Sequence, residues 1–233
     1  MSQLRNIVAQ MFGVPLAETL AACRTRVRGE WRLRQAHRQG CAKAHTLVGA
    51  SPLRLHLGCG HHYKPHWVNI DAYYLPPCTP DLTLDLRLPL PFPDHSCVEV
   101  YSEHFFEHIP YPRDAAAILR DTWRVLTPGG RTSIGVPDPR PVLQAYLSGE
   151  PAPYFEYFLT HPSVTRHLQT RMEAVNWLFK QGGEHQFIYD FLSLQKMLAH
   201  AGFTRIERRE FDSTRDSEVR RHETIYVDAW KNA

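Results

Sequence analysis

Four short clusters in this 233-residue chain hold residue types that bind polar ligands, and each follows a run that reads as a strand. Gly58-Cys59-Gly60 comes after Leu53–Leu57. Glycines there let the backbone approach a ligand closely and accept a positive φ. Asp71 ends a second run, Trp67–Asp71, and Asp85 ends a third, Leu82–Asp85. An acid closing the second strand can accept two hydrogen bonds from a ribose diol. One closing the third can accept from the exocyclic amine of adenine, while the next backbone N–H, that of Leu86, supports a ring nitrogen. Ser102-Glu103-His104 ends a fourth run, Cys97–Ser102. In an open α/β sheet, ligands sit outside the carboxyl ends of the strands, so these segments are expected to converge on one crevice.

The elements that must position them follow from periodicity. Ala115, Ile118, Leu119, Thr122, Val125 and Leu126 keep the i, i+3, i+4, i+7 rhythm of a packed helix, stopped by Pro128-Gly129-Gly130 before a strand at 131–136. Residues 137–180 read as irregular helix rich in aromatics. Residues 191–201 form an amphipathic helix ended by Gly202 as a C-cap, and 204–210 with 224–230 form a terminal strand pair. Alternating strands and helices imply a parallel sheet with helices on its faces. Two connections are too short for the usual helices. Only His61–His66 separate the glycines from the second strand, and 72–81 carries Pro76, Pro77 and Pro80. That side of the crevice is therefore expected to be open, or covered by the N-terminal arm or another subunit.

The arm spans 1–51, with Leu4, Ile7, Val8 and Met11 as a short helical stripe and Pro15 beginning a new turn. Residues 1–50 hold eight basic residues, seven of them Arg, against Glu18 and Glu30, a balance of +6; the remainder balances to −3. A basic arm on a slightly acidic body suits peripheral contact with an anionic partner, a subunit contact, or plain solvation. No aromatic-interleaved basic stripe points to nucleic acid. No run approaches the roughly 20 apolar residues of a membrane span. Five unpaired-looking cysteines (Cys23, Cys41, Cys59, Cys78, Cys97) fit reduced thiols in a cytoplasm.

The order Leu57-Gly58-Cys59-Gly60, Asn69-Ile70-Asp71, Asp85 before Leu90-Pro91-Phe92-Pro93-Asp94, Ser102-Glu103-His104 and Arg124-Val125-Leu126-Thr127-Pro128-Gly129-Gly130 resembles the successive motifs of class I methyltransferases. It looks most like small bacterial enzymes of the type-11-like group, met among surface-glycan and natural-product genes. The resemblance, strong over 52–137 and in outline over 183–230, implies a doubly wound, mostly parallel seven-stranded Rossmann-like sheet with its last strand antiparallel, on residues 52–233. The aromatic, helical stretch 141–181 is expected to form an acceptor lid, or else a packing or dimer face. The resemblance implies S-adenosyl-L-methionine as cofactor. Gly58, Cys59 and Gly60 would line its methionine part, Asp71 and Ala72 its ribose, Asp85 and Leu86 its adenine. Ser102 and Glu103 would lie near its amino-acid end or the acceptor.

Transfer to an oxygen acceptor, a sugar, glycan precursor or small natural product, needs a proton removed. His104 is the expected general base. His185, in a stretch similar to the H-x-x-Y-D of these enzymes, reaches the acceptor from above the sheet, while Tyr189 reads as core and Asp190 as an N-cap. His104 with His108, and Glu103 with Glu107, stand i, i+4, but no H-E-x-x-H order and no third ligand accompany them, so no metal is expected. His61, His62 and His66 read as solvated. A dinucleotide oxidoreductase is disfavoured by Tyr63 where the G-x-G-x-x-G fingerprint needs glycine. A non-catalytic cofactor-binding subunit on the same fold remains the alternative.

Overall fold

The computed structural model describes residues 14–49, 51–73, 77–160 and 168–232. The stripe from Leu4 to Met11, Pro76 and part of the lid lie outside them.

Seven strands form one sheet: β1 Leu53–Leu57, β2 Val68–Asp71, β3 Leu82–Thr83, β4 Cys97–Glu103, β5 Leu126–Pro137, β6 Arg205–Arg209 and β7 Thr224–Trp230. Their spatial order is β3-β2-β1-β4-β5-β7-β6. β1 to β5 pair in parallel, and β7 runs antiparallel between β5 and β6. This is the doubly wound strand order expected, with the last strand of the chain reversed.

The strand period of two splits the residues into faces. One row across the sheet reads Val68, Leu55, Val100, Thr132, Ala229, and the next but one reads Ile70, Leu57, Ser102, Ile134, Val227. This face packs against two helices, Arg113–Val125 and Phe191–Ala201, through Ile118, Leu119, Leu194 and Leu198. The row between them reads Asn69, His56, Tyr101, Ser133, Asp228 and points the other way. In a sheet wound on both sides, helices after β1 and β2 would cover this second face. Here the connections are too short, and no helix stands between β1 and β3 among the described residues. The segment 211–223 covers it instead. Arg215 reaches Asp228 at 3.0 Å and Glu99 at 3.1 Å, and Asp216 accepts from Tyr101 Oη at 3.1 Å and from Arg209 at 2.7 Å. A polar face therefore meets a polar cover.

Helix α1, Val14–Leu47, lies along the β3 edge with its C-terminal half. Leu33, Gly40 and Ala44 are buried at helical spacing. At Gly40 a Cβ would stand 2.4 Å from Thr83 O, so only glycine allows this approach. α2 is Arg113–Val125. Helices α3 Arg140–Ser148, α4 Pro153–Thr160 and α5 Arg171–Lys180 make a small separate core around Val142, Tyr154, Phe155, Ala174 and Val175. α6 is Phe191–Ala201, capped by Asp190, whose side chain accepts from Ser193 N at 2.7 Å, and ended by Gly202 at φ +106°. Among the described residues no helix is long and apolar enough to cross a membrane.

Candidate functional site

The carboxyl ends of β1, β2 and β4 are neighbours, and they carry the residues picked from sequence. Gly58 and Gly60 have φ of +65° and +50°. Their neighbourhoods differ. A Cβ on Gly58 would meet Phe105 at 2.5 Å, whereas one on Gly60 would find nothing within 4 Å. Gly58 thus packs the turn onto the protein, and Gly60 leaves space in front of it.

Asp71 closes that space from β2. Its Oδ2 accepts from Gly60 N at 2.8 Å and its Oδ1 from Tyr73 N at 3.1 Å. Each carboxylate oxygen offers two acceptor directions, so one on each stays available for a diol. Ala72, half-buried, follows directly. Cys59 contributes backbone alone: its side chain is buried, and burial pushes its thiol up to about 12.

The loop 61–67 has no helix to hold it, and Asn69 does the holding. The Asn69 side chain accepts from Lys64 N at 2.8 Å, donates to Lys64 O at 2.9 Å, and faces His56 Nδ1 at 3.1 Å. His62 is not wholly solvated as expected, because its Nδ1 meets Ser217 Oγ at 2.7 Å. His61 and His66 are exposed.

Asp85 is drawn into the arm. Arg87 donates to both of its carboxylate oxygens at 2.8 Å and extends to Glu30 of α1 at 2.9 Å. The Asp85 backbone N–H donates to His37 Nδ1 of α1 at 3.1 Å. Burial raises the Asp85 carboxyl, but the Arg87 hydrogen bonds prevail and hold it below its usual range. Leu86 is buried beside it. The arm therefore supplies the wall that the missing second helix leaves out.

Ser102 and Glu103 are buried at the end of β4. Glu103 accepts from Tyr226 Oη at 2.9 Å and Ser217 N at 3.2 Å, with Arg220 at 3.7 Å. Its oxygens are engaged within the chain, so it anchors the 217–220 segment at the crevice rather than presenting a free carboxylate. Burial raises its carboxyl above the usual value, against the pull of Arg220.

His104 has φ +53°, uncommon for a side chain with a Cβ. Its Nε2 meets Thr224 Oγ1 at 3.1 Å and its Nδ1 stands 3.5 Å from Glu107 Oε1. A quarter of the side chain is open to solvent. Burial of the ring holds its pKa well below the ordinary imidazole value, so it is neutral at neutral pH. His185 is buried in contact with His108, ring centroids 4.9 Å apart. Tyr189 is fully buried and Asp190 caps α6, as expected.

The sequence reading missed Thr224, Arg87 with Glu30, and the Ser217–Arg220 segment, and it noted Glu107 only as a partner of Glu103, three residues after His104. Thr224 carried no signal, because strand pairing alone brings it across 120 residues. A cleft of about 670 Å³ opens elsewhere, lined by Leu47, Pro52, Leu53 and Val98.

Comparison with known proteins bears on this arrangement. Residues 81–134, from the start of β3 through most of β5, match the family model of a methyltransferase domain. The cofactor of that domain is S-adenosylmethionine, and the residues at hand fit it: the open space before Gly60 and the free lone pairs of Asp71 form a cradle for a ribose and its neighbouring chain. Similar solved structures include an S-adenosylmethionine-dependent methyltransferase from Methanosarcina mazei, at 15% identity over 81% of this chain and 96% of that one, TM-score 0.48. Another, from Archaeoglobus fulgidus, shows 14% identity over 87% and 94%, TM-score 0.47. A "possible exported protein" from Bordetella parapertussis shows 16% over 90% and 68%, TM-score 0.47. No curated protein matches the chain.

Proposed function

We propose that this protein is an enzyme that moves the methyl group of S-adenosylmethionine to an oxygen acceptor, a sugar or glycan precursor or a small natural product. One observation carries the reading: a neutral His104 with a left-handed backbone follows β4, the strand next to β1, whose end carries Gly60 beside Asp71. The bound cofactor supplies a methyl carbon already activated by positive sulfur, so the protein's share is positioning and proton removal.

Asp71 would hold the ribose hydroxyls with the lone pairs that Gly60 and Tyr73 leave. Gly58, Cys59 and Gly60 would contribute backbone to the methionine part, and Ala72 would flank the ribose. Asp85 and Leu86 would meet adenine, with Arg87 and α1 holding Asp85 in place. Ser102 and Glu103 would set the floor, Glu103 as a positioning residue through Ser217 and Arg220. His104 Nε2 would take the acceptor proton, the acceptor hydroxyl replacing Thr224 Oγ1 as its partner. His185 and the 141–181 lid would close over the acceptor. The lid's Tyr154 and Phe155 are spent on its own core, which leaves Tyr146 and Tyr157 on its surface.

The test is calorimetric titration of the purified protein with S-adenosylmethionine and S-adenosylhomocysteine, repeated on Asp71→Ala. Micromolar binding that collapses in the variant supports the cradle; no binding by folded wild type removes the reading. Once an acceptor is found by screening, unimpaired turnover in His104→Ala would remove the base.

A further inference from the structure

Beside His104 lies a group that methyl transfer does not need. Glu107 is fully buried, and neither of its carboxylate oxygens has a hydrogen-bond partner. A buried carboxylate without a partner is costly, and chains keep one where something positive or protic is meant to meet it. Two histidines face it. The ligand atoms of Glu107, His108 and His185 lie within 4.8 Å of one another.

The two imidazoles are set as metal-binding imidazoles usually are. Nδ1 of His185 donates to Leu178 O at 2.7 Å, and Nδ1 of His108 to Glu184 O at 3.3 Å. A carbonyl can only accept, so these bonds place the proton on Nδ1 and leave Nε2 with its lone pair. A backbone carbonyl on the far nitrogen is the common second shell of a ligating histidine. The segments are also pinned together, since Gln186 N and Phe187 N donate to Glu107 O at 2.7 and 3.3 Å. The site is thus built from the turn after β4 and the segment before α6.

We infer that Glu107, His108 and His185 form a binding site for a first-row divalent metal ion of the zinc type. Two imidazoles and a carboxylate are a donor set that such ions take, and three protein ligands leave a fourth position for water or a substrate oxygen. Metal–ligand bonds of about 2.1 Å in a tetrahedron put ligand atoms about 3.4 Å apart, so the three side chains close in by rotation as the ion enters. Glu107 has two oxygens, of which Oε1 stands 3.5 Å from His104 Nδ1. The inference stands apart from the methyl-transfer reading, because it needs neither cofactor nor turnover.

The test uses full-length, metal-stripped protein titrated with Zn²⁺ by calorimetry and with Co²⁺ by visible absorption. One equivalent is expected to bind at micromolar concentration or below. Glu107→Gln and His185→Asn should each weaken binding by roughly tenfold or more. His108→Asn gives the same reading should either variant fail to fold. His200→Asn, at an exposed histidine on α6, should leave binding unchanged. No binding by the folded wild type, or equal binding in folded Glu107→Gln, overturns the site. Titration of the same preparation with S-adenosylhomocysteine reads the cofactor cradle separately, so the two readings fail independently.

Discussion

Gly58 and Gly60 sit two residues apart in one turn, both with positive φ, and the structure makes opposite demands on them. Alanine at Gly60 meets no atom within 4 Å, so its cost is the left-handed backbone alone, about 1–2 kcal/mol. Alanine at Gly58 bears the same backbone cost and also drives a methyl to 2.5 Å from Phe105, which is buried in the core. Overpacking of that kind costs about 1–3 kcal/mol, for a total of about 2–5 kcal/mol. In a chain of this size each kcal/mol lowers Tm by about 2–4 °C. Gly60→Ala should therefore melt about 2–8 °C below wild type, and Gly58→Ala about 4–20 °C below. Binding should rank the other way: Gly60→Ala, folded but with a methyl in the cradle, should bind S-adenosylhomocysteine at least about tenfold more weakly, a loss of 1.4 kcal/mol or more. Thermal melts and calorimetric titration of the two variants decide it. Gly60→Ala with wild-type affinity, or Gly58→Ala no less stable than Gly60→Ala, would refute the division of roles.

Gly40→Ala should destabilise the protein although alanine is the better helix former, because its methyl would lie 2.4 Å from Thr83 O; urea unfolding showing equal or greater stability would mean that α1 does not pack there. His56 is buried against Asn69, and burial pushes its imidazole down to about 3. A folded pKa below the unfolded value near 6.5 means that stability is whole above pH 6.5 and is lost as pH falls toward 3. Between pH 7 and 5 that loss is about 2 kcal/mol, and His56→Asn should be spared it; parallel urea midpoints for variant and wild type across that range would count against the burial argument.

The sheet was legible because its strands are short apolar runs ending in glycine or acid. Leu53–Leu57 and Asp71 mark their own boundaries, whereas β3 stops at Thr83, two residues short of the expected Asp85, and the missing helices could be read from the six residues between Gly60 and Trp67. The meeting of Gly60 with Asp71 was legible for the same reason, since they belong to strand ends whose order the topology fixes. What could not be read is who partners whom across the sheet. Asp85 reads as a free acid in the chain, yet Arg87, two residues on, binds it and is itself held by Glu30 of α1 once α1 docks on β3. Glu103 likewise looked exposed to ligand, but β7 and the 217–220 segment arrive late in the chain and cover it. His185 and Glu107 carried separate signals, and only the docking of 184–187 on the turn after β4 makes them one group.

That late segment also explains how a sheet without two of its helices stays closed. A helix would have covered the Asn69–His56–Tyr101 row with apolar side chains, at no electrostatic cost. The segment 211–223 covers it with Arg215 and Asp216, which join Glu99, Asp228 and Arg209 in a buried network. Buried ion pairs contribute little net stability, because desolvation offsets the attraction, but leaving one charge unpaired is strongly unfavourable. The cover is therefore held less by strength than by the absence of any other arrangement that pairs every charge. Its end, at Ser217 and Arg220, rests on Glu103 and on His62 beside the glycine turn. The same substitution of loop for helix that opens the cofactor side thus supplies the crevice with its polar wall.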